Sequence, residues 1–251
     1  MTIKDQVKLK IKLEERFRRD VRTLFNRIRY EFRIKIAANN IINPLKFEKQ
    51  WEVLLLGHTT RVQKAFRPIA TVKENDNEEV AAALLLWAEV NSARDAVWIT
   101  NTTRNEMNEA IAQARRTFAD DGTISYTTRE LAAVSGAILS RKFKARETTI
   151  IITETQKAAE STKLIVAYDE AELSPRDALA PTMVASQAMK DWYDVGDGKV
   201  RGGHHKWEVK PVPITMPYIV NGQRLMYPGD TSMGASLKNT ANCRCTSTYT
   251  F

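Results

Sequence analysis

The stretch Leu13-Glu-Glu-Arg-Phe17-Arg-Arg-Asp-Val21-Arg-Thr-Leu24-Phe-Asn-Arg-Ile28-Arg-Tyr-Glu-Phe32 decides the fold class. Its apolar residues recur every three or four positions with arginines between them, the period of a helix with one buried face. The pattern runs from Asp5 to Ala38 and predicts a helix about 50 Å long. Its first turns admit a second reading, because Lys8 to Leu13 alternates charged and apolar residues as a strand does. Asn39, Asn40, Asn43 and Pro44 stop the helix, and a second helical stripe follows through Phe47, Trp51, Leu54, Leu55, Val62, Phe66 and Ile69. Residues 1–72 therefore read as a helical hairpin.

The hairpin is also where the charge lies. The first fifty residues hold 14 Lys/Arg against 6 Asp/Glu, and the remainder of the chain holds 24 against 24. A concentrated basic segment points to an anionic partner, nucleic acid being the commonest, bound without sequence preference and sensitively to salt. The alternative is a solvated helix face. Phe17, Phe25, Tyr30 and Phe32 interleave the arginines, but at helical spacing they read as core before they read as base-stacking platforms.

Further along, Val72 to Glu79 is polar and reads as a loop. Residues 78–145 form a central helical region. Capping signals mark three helix starts: Thr103 with Glu106, Thr127 with Glu130, and Ser174-Pro175 with Asp177. Asp120-Asp121-Gly122 is a turn, and a longer helix is expected from Arg146 to about Ala167. Beyond Ala180-Pro181 the Gly, Pro and aromatic content rises, and Asn221-Gly222 stands between Tyr218-Ile-Val220 and Arg224-Leu-Met-Tyr227, a strong hairpin signal. The fold class expected is mostly α with a C-terminal α+β module. A long basic N-terminal helical hairpin and central helices lead into a small β-rich module packed on the preceding helices.

The last hundred residues carry an ordered motif series. It comprises Ile152-Thr153-Glu154-Thr155 with Ala158, then Lys190-Asp-Trp192, then Asp197-Gly-Lys-Val-Arg201-Gly-Gly-His204. Val220-Asn-Gly222, Leu225-Met-Tyr-Pro-Gly-Asp230, Gly234-Ala-Ser236 and Asn242-Cys243-Arg-Cys245 complete it. In order and spacing the series resembles the Mu F-like module of phage head morphogenesis proteins, over roughly Arg146 to Cys245. Ile152 stands where that family usually has arginine. The resemblance implies a low-copy minor head protein of a tailed bacteriophage, made in the host cytoplasm and residing in the virion, inside the head near the portal vertex. It implies partnership with the portal protein and the major capsid protein, and a part in head morphogenesis and DNA packaging or ejection. Thr153, Glu154, Trp192, Asp197, Arg201, His204, Asp230, Cys243 and Cys245 are its motif residues. Residues 146–251 would then be the module. The basic hairpin lies outside the resemblance; from its charge alone Arg16, Arg18, Arg19, Arg22, Arg27, Arg29 and Arg33 are offered to the phosphates of packaged double-stranded DNA, to an acidic portal surface, or to solvent. Charge reversal at Arg18, Arg19 and Arg22 is expected to weaken that contact without unfolding the chain.

The residues themselves point to architecture over catalysis. Asp197 and Arg201, four apart, are placed to pin a loop, and Asp230 after Pro228-Gly229 to close an Asx-type turn. Cys243 and Cys245 with His204 or His205 offer sulfur and imidazole donors that suit zinc, although Cys-x-Cys is a less common zinc half-site than Cys-x2-Cys; no cofactor is the expectation. A disulfide between residues two apart would be strained, so reduced thiols are expected. A His204-based nuclease lacks an accompanying carboxylate cluster. Glu154 reads as a buried or capping carboxylate, and His58 as isolated on a helix. Neither a Gly-x-Ser-x-Gly elbow nor a Gly-rich loop ending in Lys-Ser/Thr is present. The chain is read as no enzyme. The alternatives are a free DNA-binding or nuclease-like protein, or a toxin-delivery adaptor carrying the same module. The longest nearly apolar run, Val80 to Val90, is interrupted by Glu89 and falls short of the roughly 20 residues of a membrane span. Composition, 43% hydrophobic and 27% charged, is that of a folded globular protein.

Overall fold

A computed structural model of the chain describes residues 2–40, 43–70, 77–122, 125–180, 186–196, 198 and 200–251. Helix α1 spans Ile3–Ala37. It begins there because Thr2 and Asp5 close a reciprocal cap: Asp5 N donates to Thr2 Oγ1 at 3.2 Å and Thr2 N donates to Asp5 Oδ2 at 3.1 Å. Lys8 to Leu13 is thus helical, and its strand-like alternation is overruled by the cap and by the burial of Lys10. Asn39 in the left-handed region (φ 54°) and a bond from Asn40 N to Lys35 O end the helix. Asn43 caps a single 3-10 turn, Pro44–Phe47, by accepting from Leu45 N at 3.0 Å. Helix α2, Glu48–Ala70, follows directly. Phe25 meets Trp51 edge-on at 5.1 Å, and Glu31 pairs with Lys46, so the two helices run antiparallel.

The polar loop expected over 72–79 lies largely outside the described residues; Asn77 caps α3, accepting from Glu79 N at 2.8 Å. Helix α3 spans Glu78–Asp120 and helix α4 Thr128–Glu170, 43 residues each. Thr127 and Glu130 form the capping box expected of them, with Thr127 N to Glu130 Oε2 at 2.7 Å. Thr103 and Glu106 do not start a helix. They lie inside α3, where the Thr103 hydroxyl donates to Ile99 O at 2.8 Å. The helix continues because Ile99, Thr103, Met107, Ala110 and Ala114 form one unbroken buried stripe. Ser174 makes no side-chain cap, and only one 3-10 turn, Pro175–Ala178, follows it. The helix expected from Arg146 is the second half of α4. From Ile150 to Tyr168 every residue but Glu154 is buried, so this stretch is a core helix on all its faces.

Among its described residues the C-terminal segment holds five short strands: β1 (Met189–Tyr193), β2 (Val212–Pro213), β3 (Tyr218–Val220), β4 (Gln223–Leu225) and β5 (Thr246–Thr250), with the one-turn helix α5 (Leu237–Thr240) before β5. An antiparallel sheet has the order β2-β1-β5, and β3 pairs with β4 across Asn221-Gly222. Both turn residues have positive φ, 49° and 72°, as a type I′ hairpin demands.

The chain gathers into two compact units. The first contains Met1–Glu15, Gly57–Val90 and Thr149–Phe251, and the second Arg16–Leu56 and Asn91–Thr148. Each of the four long helices contributes residues to both. The first unit's core combines Val62, Phe66, Trp87, Leu164, Ile165 and Tyr168 with Ile214, Met226 and Tyr227, and a smaller cluster around Trp192, Tyr218 and Leu225 includes Cys243 and Cys245. The second unit buries Phe17, Val21, Ile28 and Phe32 of the opening stretch, and Phe25 stacks on Phe143 at 4.3 Å. No helix among the described residues is long and apolar enough to cross a membrane.

Candidate functional site

The motif residues of the C-terminal segment converge in the first unit. The β1–β5 ladder pairs Tyr193 with Thr246, so the chain leaving β1 and the Cys-Arg-Cys entering β5 lie side by side. Residues two apart in extended chain point to the same side. Cys243 and Cys245 accordingly turn inward, while Arg244 between them is exposed. His204 follows the turn at Gly203 (φ 80°) and is fixed by Trp192, whose Nε1 donates to His204 O at 2.8 Å. Helix α4 holds the opposite side: Asn242 N donates to Thr153 Oγ1 at 3.1 Å, and Gln156 Nε2 donates to Cys245 O at 2.5 Å.

The outcome is a buried cluster of one imidazole and two sulfurs. His204 Nδ1 lies 3.8 Å from Cys243 Sγ and 3.9 Å from Cys245 Sγ, and the three donor atoms fall within 4.8 Å of one another. The residues are 2%, 4% and 5% exposed. They border a cavity of about 190 Å³ lined also by Ile152, Val195, Val200, Arg201, Asn242 and Arg244. A hydrogen bond from Cys245 draws the Cys243 thiol down to about 5, against burial and with help from His204, while Cys245 is pushed up by that same hydrogen bond to Cys243, by burial and by the charge on Cys243. Burial alone would lower His204, but its contacts with Cys243 and Asn239 leave it raised. His205 is not part of the cluster. Its Nδ1 is 3.7 Å from Asp194 Oδ2 and its ring stacks on exposed Trp207.

No family model, curated protein or solved structure matches the chain.

The other motif residues hold backbone. Asp230 accepts from Met226 N at 2.8 Å and from Ser232 N at 2.7 Å, the Asx-type turn expected of it. Arg201 donates to the carbonyls of Lys238 and Ala241; its expected partner Asp197 lies outside the described residues. Glu154 pairs with Lys157 at 3.1 Å. His58, read as isolated, is buried and bonded to Thr155 Oγ1 at 2.8 Å. Asn239 and Gln156, which hold the cluster, had no signal beyond being polar. Lys190, read only as the first residue of a motif, is buried and donates Nζ to Met226 O at 2.7 Å.

His58 carries a pH consequence. Burial first, and Arg61 second, lower its pKa from 6.5 to about 3. Between those values the unfolded chain takes up a proton that the folded chain refuses, so stability falls as pH drops. The expected loss from this group is about 2 kcal/mol between pH 7 and pH 5. Urea unfolding at the two pH values checks it, and His58→Gln should flatten this part of the dependence.

The excess of basic charge lies in the second unit, as do all seven arginines read as contacts, Arg16 to Arg33. That unit holds 19 Lys/Arg against 11 Asp/Glu, leaving 19 against 19 in the first, so the whole excess of +8 belongs to one unit. Arg22 reaches Glu147 through Nη2 at 2.8 Å and Nε at 3.3 Å, with Arg18 Nη1 at 3.5 Å from the same carboxylate. Arg29 donates to Ser140 Oγ at 2.7 Å, and Arg27 lies near Glu31 and Gln50. Arg16, Arg19 and Arg33 are exposed. Reversing Arg18 and Arg22, expected from sequence to spare the fold, would instead set carboxylates against the nearly buried Glu147.

Proposed function

We propose that this chain is a structural minor head protein of a tailed bacteriophage, sited inside the head at the portal vertex and acting in head morphogenesis and DNA packaging or ejection. The observation that carries the reading is the partition of charge from motif. The motif residues Thr153, Trp192, Arg201 and Asp230 bond the backbone of an electrically neutral unit, as a rigid anchor requires. The excess of +8 sits in the helical unit, where it favours an anionic partner. In this reading the neutral unit seats the chain among portal and capsid proteins. The basic unit meets packaged double-stranded DNA without reading its sequence, and no covalent chemistry is involved.

Quantitative mass spectrometry of gradient-purified particles tests this. A small fixed ratio to the portal protein is expected, and absence from the particles sinks the reading. The partner surface is tested with Arg16→Glu, Arg19→Glu and Arg33→Glu together, which takes six charges from the unit while leaving Glu147 paired. DNA binding by the purified chain should weaken, with its salt dependence shallower by about three in log–log slope. An unchanged slope would place the DNA contact elsewhere.

A further inference from the structure

The orientation of His204 is decided by its neighbours. Asn239 is buried and donates through Nδ2 to Val220 O at 2.9 Å, so its Oδ1 faces the ring. That oxygen lies 2.8 Å from His204 Nε2 and can only accept. In the neutral ring, the form that binds a metal, the proton therefore sits on Nε2 and the lone pair of Nδ1 points at the two sulfurs. A hydrogen-bonded carbonyl behind an imidazole is the usual support of a metal-ligating histidine. Tetrahedral zinc with Zn–N near 2.0 Å and Zn–S near 2.3 Å places nitrogen and sulfur about 3.5 Å apart. The observed 3.8 and 3.9 Å need only a few tenths of an ångström of closure, and the two sulfurs, within 4.8 Å of each other, would draw toward the roughly 3.8 Å of a tetrahedral pair.

We propose that His204 Nδ1, Cys243 Sγ and Cys245 Sγ bind one zinc-type divalent cation, with water as fourth ligand on the side of the cavity between Arg201 and Arg244. One imidazole and two thiolates favour a borderline-soft ion over magnesium or calcium, which take oxygen ligands. The ion would tie the loop after β1 to the entry of β5, two segments already linked by the β1–β5 ladder and by Arg201, which donates to Lys238 O and Ala241 O. This goes beyond the head-protein reading and stands whether or not that reading holds.

The test uses the full chain, free of any histidine tag, reduced and stripped with a chelator, then titrated with Co²⁺. One ion per chain is expected, with the near-ultraviolet charge-transfer band of thiolate–cobalt bonds, displaced by Zn²⁺. Asn239→Ala should weaken binding about 10- to 100-fold while keeping the thiolate spectrum. Cys243→Ser and Cys245→Ser should each remove or halve that band. Because those variants can fail to fold, the wild-type chain is also alkylated with and without Zn²⁺, and the ion should protect both cysteines. Absence of a thiolate–cobalt band together with unprotected cysteines overturns the site. So does a band unchanged in the folded Cys243→Ser/Cys245→Ser variant.

Discussion

Replacing Glu160 by Gln is expected to destabilise the first unit by about 3–5 kcal/mol, the usual consequence of removing one partner from a buried ionic cluster. Glu160 is wholly buried and accepts from Lys10 Nζ at 2.7 Å, Lys163 Nζ at 2.8 Å, Thr246 Oγ1 at 2.8 Å and Ser247 N at 2.9 Å. It thereby joins α1, α4 and β5. Burial would raise its pKa, but Lys10 and Lys163 outweigh burial and hold it below the ordinary value, so the carboxylate is ionised. Glutamine has the same size but offers one acceptor oxygen, and its amide would face an ammonium group. Two lysines, 6% and 3% exposed, would then lack their counter-charge. Lys10→Met should cost less, since Lys163 still pairs with Glu160. Guanidinium unfolding monitored by circular dichroism reads the difference, and equal midpoints for wild type and Glu160→Gln would refute the argument.

Trp192→Ala should cost a similar amount, about 3–5 kcal/mol, from the cavity left by a fully buried indole. The ring meets Tyr218 edge-on at 5.2 Å and His204 at 5.7 Å, and Trp192 sits within the β1–β5 ladder opposite Ser247. Trp192→Phe separates packing from hydrogen bonding: it keeps most of the ring but leaves His204 O without its indole donor, at a cost of about 1–3 kcal/mol. The order of unfolding midpoints should be wild type, then Phe, then Ala. A Phe variant as unstable as the Ala variant would mean that the hydrogen bond, not the volume, dominates.

Some of this protein could be read along the chain because the determining interactions are local. The opening helix follows from a 3.6-residue stripe, and Thr127 with Glu130 marks the start of α4 because a capping box closes within one turn. Asn221-Gly222 marks a hairpin because both residues tolerate positive φ. The same spelling misled at Thr103 and Glu106. A capping box requires the chain to break there, and an uninterrupted buried stripe from Ile99 to Ala114 keeps it helical. The choice between His204 and His205 was also open in the sequence, since adjacent side chains point apart and only the tertiary placement of the sulfurs selects one.

The sequence by itself determined the helical stripe, the turn residues, the basic excess near the N-terminus and the donor types of the cysteine–histidine cluster. Each of these is a property of neighbouring residues or of composition. Only the tertiary structure decided that Lys10 and Lys163 are core residues, since the carboxylate that makes Lys10's burial tolerable lies 150 positions away. It likewise decided that Lys4, Lys8, Lys10 and Lys12 belong to the neutral unit while the arginines from Arg16 to Arg33 on the same helix belong to the basic one. Charge and burial are sums over neighbours in space, and a helix that contributes to two compact units gives its residues different neighbours on either side of one peptide bond.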